Sequence, residues 1–328
     1  MDIYRTISNF VQNHPTAWNV LQPPYILAQD KLKKWRTHHQ YKGRLIRSAA
    51  EGNDRIKRAI LLGEPCLIGK IGSTESQGLD CYLRREGSPT RYPPILRDQL
   101  FRLCGLFPPT DAFLDQFCSV YLNAVDAVDL LAVWGNSGES NVVARHAGKA
   151  VLIQRLSLEP YHFDDPWSSA LAGKTVLVVH PFVATIERQM RQREKIWGER
   201  RVLPDFSLVT LRTPQSPALQ RVKHTFDTWL QLRDHLFERI ERLHFDVALI
   251  GAGAMSLPVA AFVKSRGRIG IHTGGPTQIL FGILGRRWEE TGEHRVLQSQ
   301  FNEWTRRADN ERRQKGRTGR LLVAAAPQ

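Results

Sequence analysis

Residues that can bind or activate a phosphate-bearing ligand follow apolar runs at four places in the chain: 72–75, 180, 251–253 and 272–275. A carboxylate there can bind the metal that carries a diphosphate, or it can act as a base. A histidine can donate a hydrogen bond to a phosphate or shuttle a proton. Glycines let a phosphate approach backbone N–H groups closely. These residue types together indicate a site that handles a phosphorylated ligand.

Glu75 ends the sequence Gly72-Ser73-Thr74-Glu75, which follows the apolar run CLIGKI where a strand gives way to a helix. We predict that Glu75 binds a metal or acts as a base, and that Gly72 and Ser73 lie beside the ligand. A structural interpretation stays open. Thr74-x-x-Gln77 fits a helix capping box, and an acid in the first turn complements the helix dipole.

His180 ends the apolar run TVLVV and is followed by Pro181-Phe182. Ligands of open parallel sheets bind at the carboxyl ends of the strands, and His180 is predicted to lie at such an end. We therefore predict a catalytic or phosphate-binding role for His180. The alternative is a histidine that caps the next helix or bonds a loop carbonyl.

Residues 246–288 predict a strand–glycine turn–helix–strand–glycine turn unit, in which Val247 to Ile250 is apolar enough for a strand buried on both faces. We predict that the ligand-binding residues of this unit are Gly251, Gly253, His272, Gly274, Gly275, Arg286 and Arg287. The arginines would neutralise a diphosphate. Glycine turns also occur without a ligand, and the arginines can equally be surface residues.

Strands and helices alternate from residue 66 to residue 288, which predicts an α/β fold of the Rossmann-like kind, with a mostly parallel sheet and helices on both faces. The residues that follow the strands then gather at one edge. We expect a helical N-terminal extension over residues 1–55, the Rossmann-like domain over 56–305, and a basic tail over 306–328.

Composition narrows the class of protein. The 328-residue chain carries 46 Lys and Arg against 32 Asp and Glu, a net charge of +14 that favours anionic partners. Its four cysteines form no Cys-x-x-Cys pair, and no apolar run is long enough to cross a bilayer, so we expect a soluble, cytoplasmic protein. Lysines beside Leu32 and Trp35 are compatible with peripheral contact with an anionic membrane at its inner face. No specific nucleic-acid module is present in the sequence.

Familiar nucleotide-binding motifs do not fit. A Gly-x-Gly-x-x-Gly dinucleotide turn would need a glycine where Ser256 stands and an acid where the next strand ends in His272. A P-loop and a Gly-x-Ser-x-Gly nucleophile elbow are absent. A nucleotide sugar fits better, because its diphosphate needs backbone N–H groups and cations and its transfer needs little covalent chemistry from the protein.

The segments GKIGSTE, GKTVLVVHPF and DVALIGAGAMSLPVAAFVKSRGRIGIHTGGPTQILFGILGRRW resemble bacterial glycosyltransferases of the GT-D type, over about residues 60–305. The resemblance implies a Rossmann-like fold and surface-polysaccharide synthesis. It also implies a divalent cation, Mn²⁺ or Mg²⁺, held by acids in a Gly-Asp-x-Glu sequence. Here Glu75 matches the second acid, and Ser73 stands in place of the first.

We therefore expect a glycosyltransferase that moves a sugar from a nucleotide-sugar donor to a glycan or lipid-linked acceptor. Glu75 would be the metal ligand or the base that activates the acceptor. The alternative is a non-catalytic nucleotide-sugar-binding or polysaccharide-assembly protein, which Ser73 favours. A third interpretation, a nucleic-acid-binding protein, rests on net charge alone.

Overall fold

The computed structural model describes residues 41, 43–85, 91–198, 200–213, 226–285 and 305–306. Its strands are β1 Ile46–Arg47, β2 Cys66–Lys70, β3 Leu130–Val133, β4 Val151–Gln154, β5 Thr175–His180, β6 Ser207–Arg212, β7 Val247–Ile250, β8 Ile269–His272, β9 Ile283–Leu284 and β10 Thr305–Arg306. Its α-helices are α1 Ala49–Leu62, α2 Ser73–Leu83, α3 Pro94–Arg102, α4 Asp111–Asp126, α5 Glu139–His146, α6 Val183–Met190, α7 Arg193–Trp197, α8 Trp229–Glu241, α9 Ser256–Ser265 and α10 Pro276–Leu280.

Eight of these strands form one sheet, in the order β1-β4-β3-β2-β8-β7-β5-β6. Every neighbouring pair in it is parallel. Strands β3, β7 and β8 are buried at every position, which explains why they appear in the sequence as short continuous apolar runs. The predicted α/β, Rossmann-like fold is confirmed.

Helix α9 lies unusually close to one face of the sheet, which we call the α9 face. A β-carbon on Gly270 would lie 2.5 Å from the backbone oxygen of Ala260, and one on Gly69 would lie 2.8 Å from Cδ1 of Leu257. The glycines in β2 and β8 thus allow α9 to pack closely against the sheet. Helix α4 packs against α9 on the same face.

The opposite face, which we call the Trp167 face, carries a large apolar core. Alternate strand residues such as Ile68 and Ile271 belong to it, together with the fully buried rings of Trp167 and Trp197. Helix α1 contributes Ile56 to the same core. The sheet is therefore covered on both sides, and its carboxyl edge is the place left for a ligand.

The chain leaves the two central strands in opposite directions. After β2 it enters α2, which packs with α4 on the α9 face. After β8 it enters α10, whose Ile279 and Leu280 belong to the Trp167-face core. In α/β sheets such divergence opens a crevice at the carboxyl ends of the two strands. A second crevice of this kind is expected between β7 and β5, because β7 leads to α9 while β5 leads to α6 in the Trp167-face core.

The chain joins the sheet earlier than residue 56, where the predicted domain begins, because β1 pairs with β4 through Ile46 and Leu152. Helix α1 follows with a capping box made by Ser48 and Glu51. Residues 1–40 of the predicted helical extension over 1–55, and nearly all of the basic tail, lie outside the described residues. Within the described residues, no helix combines the length and the apolar character needed to cross a bilayer.

Candidate functional site

The loops predicted to form the site meet along the carboxyl edge of the sheet. The register pairs Val179 with Ile250 and Ile250 with His272, so β5, β7 and β8 end side by side. Strand β2 lies directly beyond β8 and places residues 72–75 next in line. Arg286 and Arg287 lie outside the described residues, so their predicted role is untested.

Glu75 lies in the first turn of α2, and its side chain turns back towards Gly72. Any side chain at Gly72 would overlap the Glu75 carboxylate. The thiol of Cys104 donates a hydrogen bond to that carboxylate, and the hydroxyl of Tyr121 hydrogen-bonds to the Gly72 backbone. The glycine is thus required by the position of Glu75. These hydrogen bonds from Tyr121 of α4 and from Cys104, which follows α3, hold the Gly72–Glu75 turn in place.

Burial raises the pKa of Glu75 above its ordinary value of 4.5. Its hydrogen bonds, including the one from Cys104, and the nearby Lys70 ammonium pull the pKa down less strongly. A raised pKa and a position at the end of a central strand are properties of carboxyl groups that act as acids or bases.

The capping box suggested by Thr74 and Gln77 is not formed. Helix α2 begins at Ser73, and its N-cap is Gly72, which offers no side chain. Thr74 therefore lies inside the first turn, and the amide of Gln77 instead donates to the carbonyl of Ser73 at 3.0 Å. The acid in the first turn, which was the other half of that interpretation, is present as Glu75.

Lys70, the last residue of β2, is a cation at this edge that the sequence interpretation passed over. Its ammonium lies 5.0 Å from the centre of the Trp134 ring, which follows β3. The guanidinium of Arg155, after β4, lies 5.8 Å from the same ring. Both distances are within the range of a cation–π contact. Lys70 and Trp134 are partly exposed.

The loop that carries Trp134 is held by a buried acid. One carboxylate oxygen of Glu139 accepts hydrogen bonds from the backbone N–H groups of Trp134, Gly135 and Asn136 at 3.1, 2.8 and 3.2 Å. The indole N–H of Trp134 donates to the carbonyl of Ile71 at 3.1 Å. The turn that follows β3 is therefore an anion-binding arrangement of N–H groups that the protein fills with its own carboxylate.

His180 points away from solvent. Alternation along β5 places it on the same face as Val176 and Val178, and only 1% of it is exposed. Its Nδ1 accepts a hydrogen bond from the N–H of Phe182 at 3.0 Å, which fixes the turn after the strand. Burial lowers the pKa of His180 to about 3. The ring is neutral at pH 7, so it can donate from Nε2 but carries no charge.

His272 leaves the sheet on the opposite face from His180. It has the same alternation as Gly270 on the α9 face, and it packs against Gly69. Its Nδ1 lies 3.5 Å from the carbonyl of Ile250. Burial and the Lys70 ammonium lower its pKa to about 3. The two histidines reach the same edge without sharing a face, and neither is a cation at pH 7.

The predicted glycines differ in what they do. A β-carbon on Gly251 would lie 2.7 Å from Cδ2 of His180 and 2.9 Å from both the Gly274 oxygen and Thr277 Oγ1, so protein atoms occupy that space. Gly253 has a φ of 60° and Gly274 a φ of 68°, which fit glycine turns. Gly275 directly precedes α10. Gly274 and Gly275 are partly exposed at the edge.

The two crevices therefore differ. Between β7 and β5 the buried His180 and Thr277 fill the space beside Gly251, although Gly251 itself is partly exposed. The one between β2 and β8 is bordered by partly exposed groups that include Lys70 and Gly274, with Glu75 beside it. Lys70 lies inside the segment GKIGSTE, so a signal was present, but a lysine at the end of a strand is common in surface positions as well.

The resemblance to GT-D-type enzymes implies a divalent-cation site beside Glu75. In the part of the chain that the structure describes, no group of three or more His, Cys, Asp or Glu side chains is placed to hold a metal. Ser73, the residue in place of the expected acid, is exposed beside Glu75. These residues alone do not build the site that the resemblance implies, and the divalent cation stays a prediction.

Comparison of the chain with protein-family models, with curated protein sequences and with solved structures gives no match.

Proposed function

We propose that the protein is a glycosyltransferase that moves a sugar from a nucleotide-sugar donor to a glycan or lipid-linked acceptor in surface-polysaccharide synthesis. The observation that carries the proposal is the position of Glu75. Its carboxyl group has a raised pKa and lies at the carboxyl end of β2, beside the crevice between β2 and β8. The resemblance of residues 69–75, 173–182 and 246–288 to GT-D-type enzymes supports the same reaction.

In this proposal Glu75 takes the proton of the acceptor hydroxyl as the hydroxyl oxygen attacks the sugar's anomeric carbon. The new carbon–oxygen bond forms while the bond to the diphosphate breaks, and the nucleoside diphosphate leaves with the electron pair. A general base of this kind typically contributes about 10²–10⁴-fold to the rate. The raised pKa supports the role, because it brings the carboxyl group closer to the pH at which it would work.

The proposed setting is the cytoplasm, with peripheral contact at an anionic membrane where a lipid-linked acceptor would be found. The net charge of +14 supports this setting, since basic proteins are drawn to anionic surfaces. The basic residues near Leu32 and beyond residue 306 lie outside the described residues, so the setting rests on composition.

A second candidate is a non-catalytic protein that binds the nucleotide sugar. It is favoured by the Glu75 carboxylate being turned onto Gly72 and bonded by Cys104, and by two histidines that are neutral at pH 7. In that case Glu75 and the two histidines stabilise the fold, and the crevice binds the nucleotide sugar without catalysing transfer.

A panel of nucleotide sugars, with and without Mn²⁺ or Mg²⁺, separates the two. Thermal shift identifies the donor, and transfer to glycan and lipid-linked acceptors is then measured for the wild type, Glu75→Gln and a control, Glu64→Gln. Glu64 is exposed and precedes β2, at the other end of the strand. The enzyme proposal predicts that only Glu75→Gln loses transfer, with donor binding kept. Donor binding without transfer to any acceptor supports the binding protein.

A further inference from the structure

We infer that Lys70, braced by the Trp134 ring, is an anion-binding residue that receives a phosphate group in the crevice between β2 and β8. The sequence interpretation gave the charge-neutralising role to His180, His272 and two arginines, and it gave none to Lys70. The inference concerns binding alone, so it holds whether or not the protein transfers a sugar.

The position of Lys70 is the first support. It is the last residue of β2, where it pairs with Ala132 of β3, and β8 lies on the other side of β2. Lys70 therefore lies where the chain leaves β2 and β8 towards opposite faces. A β-carbon on Gly274 would lie 3.4 Å from Cε of Lys70 and 3.6 Å from its Nζ. Cε1 of His272 lies 3.3 Å from the same position, so the ammonium lies beside both the Gly274 backbone and the His272 ring.

The second support is that the lysine is braced. The Trp134 ring lies 5.0 Å from the ammonium, and the indole N–H bond to Ile71 fixes the ring. Glu139 fixes the loop below through three backbone N–H groups. A long flexible side chain loses less conformational entropy on binding when a neighbour already restricts it.

The third support is the distribution of charge. His272, the nearest histidine, is neutral at pH 7, so it neither competes with the lysine for an anion nor replaces it. Arg155, over the same ring, is paired with the carboxylate of Glu159. Lys70 supplies positive charge at the crevice, close enough to the Glu75 carboxylate to lower the pKa of that group, and Arg155 lies on the far side of β3. Lysine is a common point-charge ligand of phosphate.

The ligand class that fits is a phosphate ester or diphosphate, and the nucleoside part is left to the test. Inorganic phosphate, pyrophosphate, UDP and a set of nucleotide sugars are titrated by calorimetry into the wild type, Lys70→Met, Lys70→Arg and Lys149→Met. Lys149 is an exposed lysine before β4, at the opposite edge of the sheet. Circular dichroism and thermal unfolding check that each variant is folded.

We expect Lys70→Met to weaken pyrophosphate or UDP binding by about tenfold or more, because a charge-assisted hydrogen bond is lost. Lys70→Arg keeps most of the binding, and Lys149→Met keeps all of it. Equal affinity in Lys70→Met and wild type overturns the inference but leaves the transferase proposal standing. Pyrophosphate binding that needs Lys70, in a protein that transfers no sugar, supports the inference and removes the transferase. Absence of binding by any phosphate compound overturns the inference.

A measurement on the wild type covers the case in which Lys70→Met does not fold. The protein is acetylated with and without pyrophosphate, and the modification of each lysine is read by mass spectrometry. Protection of Lys70 with no protection of Lys149 is the expected result. Equal modification of Lys70 in both samples overturns the inference.

Discussion

A β-carbon on Gly251 would lie 2.7 Å from Cδ2 of His180. His180 ends β5 and Gly251 directly follows the neighbouring strand β7. The glycine allows the buried imidazole to fill the space between them. The same β-carbon would meet the Gly274 oxygen and Thr277 at 2.9 Å. Gly251 was predicted to admit a ligand, but the space beside it holds the protein's own atoms.

Replacing Gly251 by alanine should destabilise the protein by about 1–3 kcal/mol, because the backbone oxygen of Gly274 cannot move aside cheaply. Urea unfolding measures the change in the free energy of unfolding. Gly148→Ala is the matched control, since no atom lies within 4 Å of its β-carbon position. Equal free energies of unfolding for the two variants would show that the His180 packing is looser than described.

The two histidines should make the protein less stable in acid. Their pKa values are lowered to about 3 in the folded protein from 6.5, so the unfolded chain binds their protons first. Their contribution to stability is complete above pH 6.5 and is lost as the pH falls towards 3. NMR of the imidazole nitrogens measures this directly, with both rings neutral at pH 5. A ring that titrates near 6.5 would contradict the buried geometry.

Glu75 should act in the opposite direction. Its pKa is raised above 4.5, so the folded protein holds the proton more tightly, and the stability gained from it is present below pH 4.5 and lost as the pH rises through the folded pKa. Glu75→Gln removes that loss. The free energy of unfolding of the variant should fall less than that of the wild type from pH 4.5 to 8, as measured by urea unfolding. If the free energies of unfolding of the wild type and Glu75→Gln changed equally with pH, the Glu75 carboxylate would be solvated and not buried.

Glu139 should be essential to the loop that carries Trp134. Glu139→Ala removes the acceptor of three backbone N–H groups, and we expect a loss of about 2 kcal/mol or more in the free energy of unfolding. The exposed Glu64→Ala should change it by less than about 0.5 kcal/mol. If Glu139→Ala unfolds at the wild-type urea concentration, the loop is held by other contacts.

The fold could be predicted because strands that are buried on both faces appear in the sequence as continuous apolar runs. Strand β7 is four buried apolar residues in a row, and the glycine turns that follow such runs marked the edge where the loops meet. Strand β1 has two residues with no apolar pattern, so its membership of the sheet could not be seen. The start of α2 was less predictable, because Thr74 and Gln77 fit the capping-box pattern although the N-cap is Gly72.

The direction of each site side chain was beyond prediction. Glu75 turns towards Cys104, which lies on the far side of α3 in the sequence, and only the packing of α2 against α3 and α4 brings the two together. His180 and His272 both end strands, but alternation sends them to opposite faces once the register is known. Lys70 lies in the segment GKIGSTE, but nothing local distinguished it, because its proposed role depends on Trp134, more than sixty residues later.

The most direct test of the whole account is a crystal structure of the protein soaked with UDP and a divalent cation. The diphosphate is expected in the crevice between β2 and β8, in contact with the ammonium of Lys70 and the backbone of Gly274, with Glu75 beside it. A diphosphate bound between β7 and β5 after displacement of His180, or bound away from the carboxyl edge of the sheet, would contradict the account.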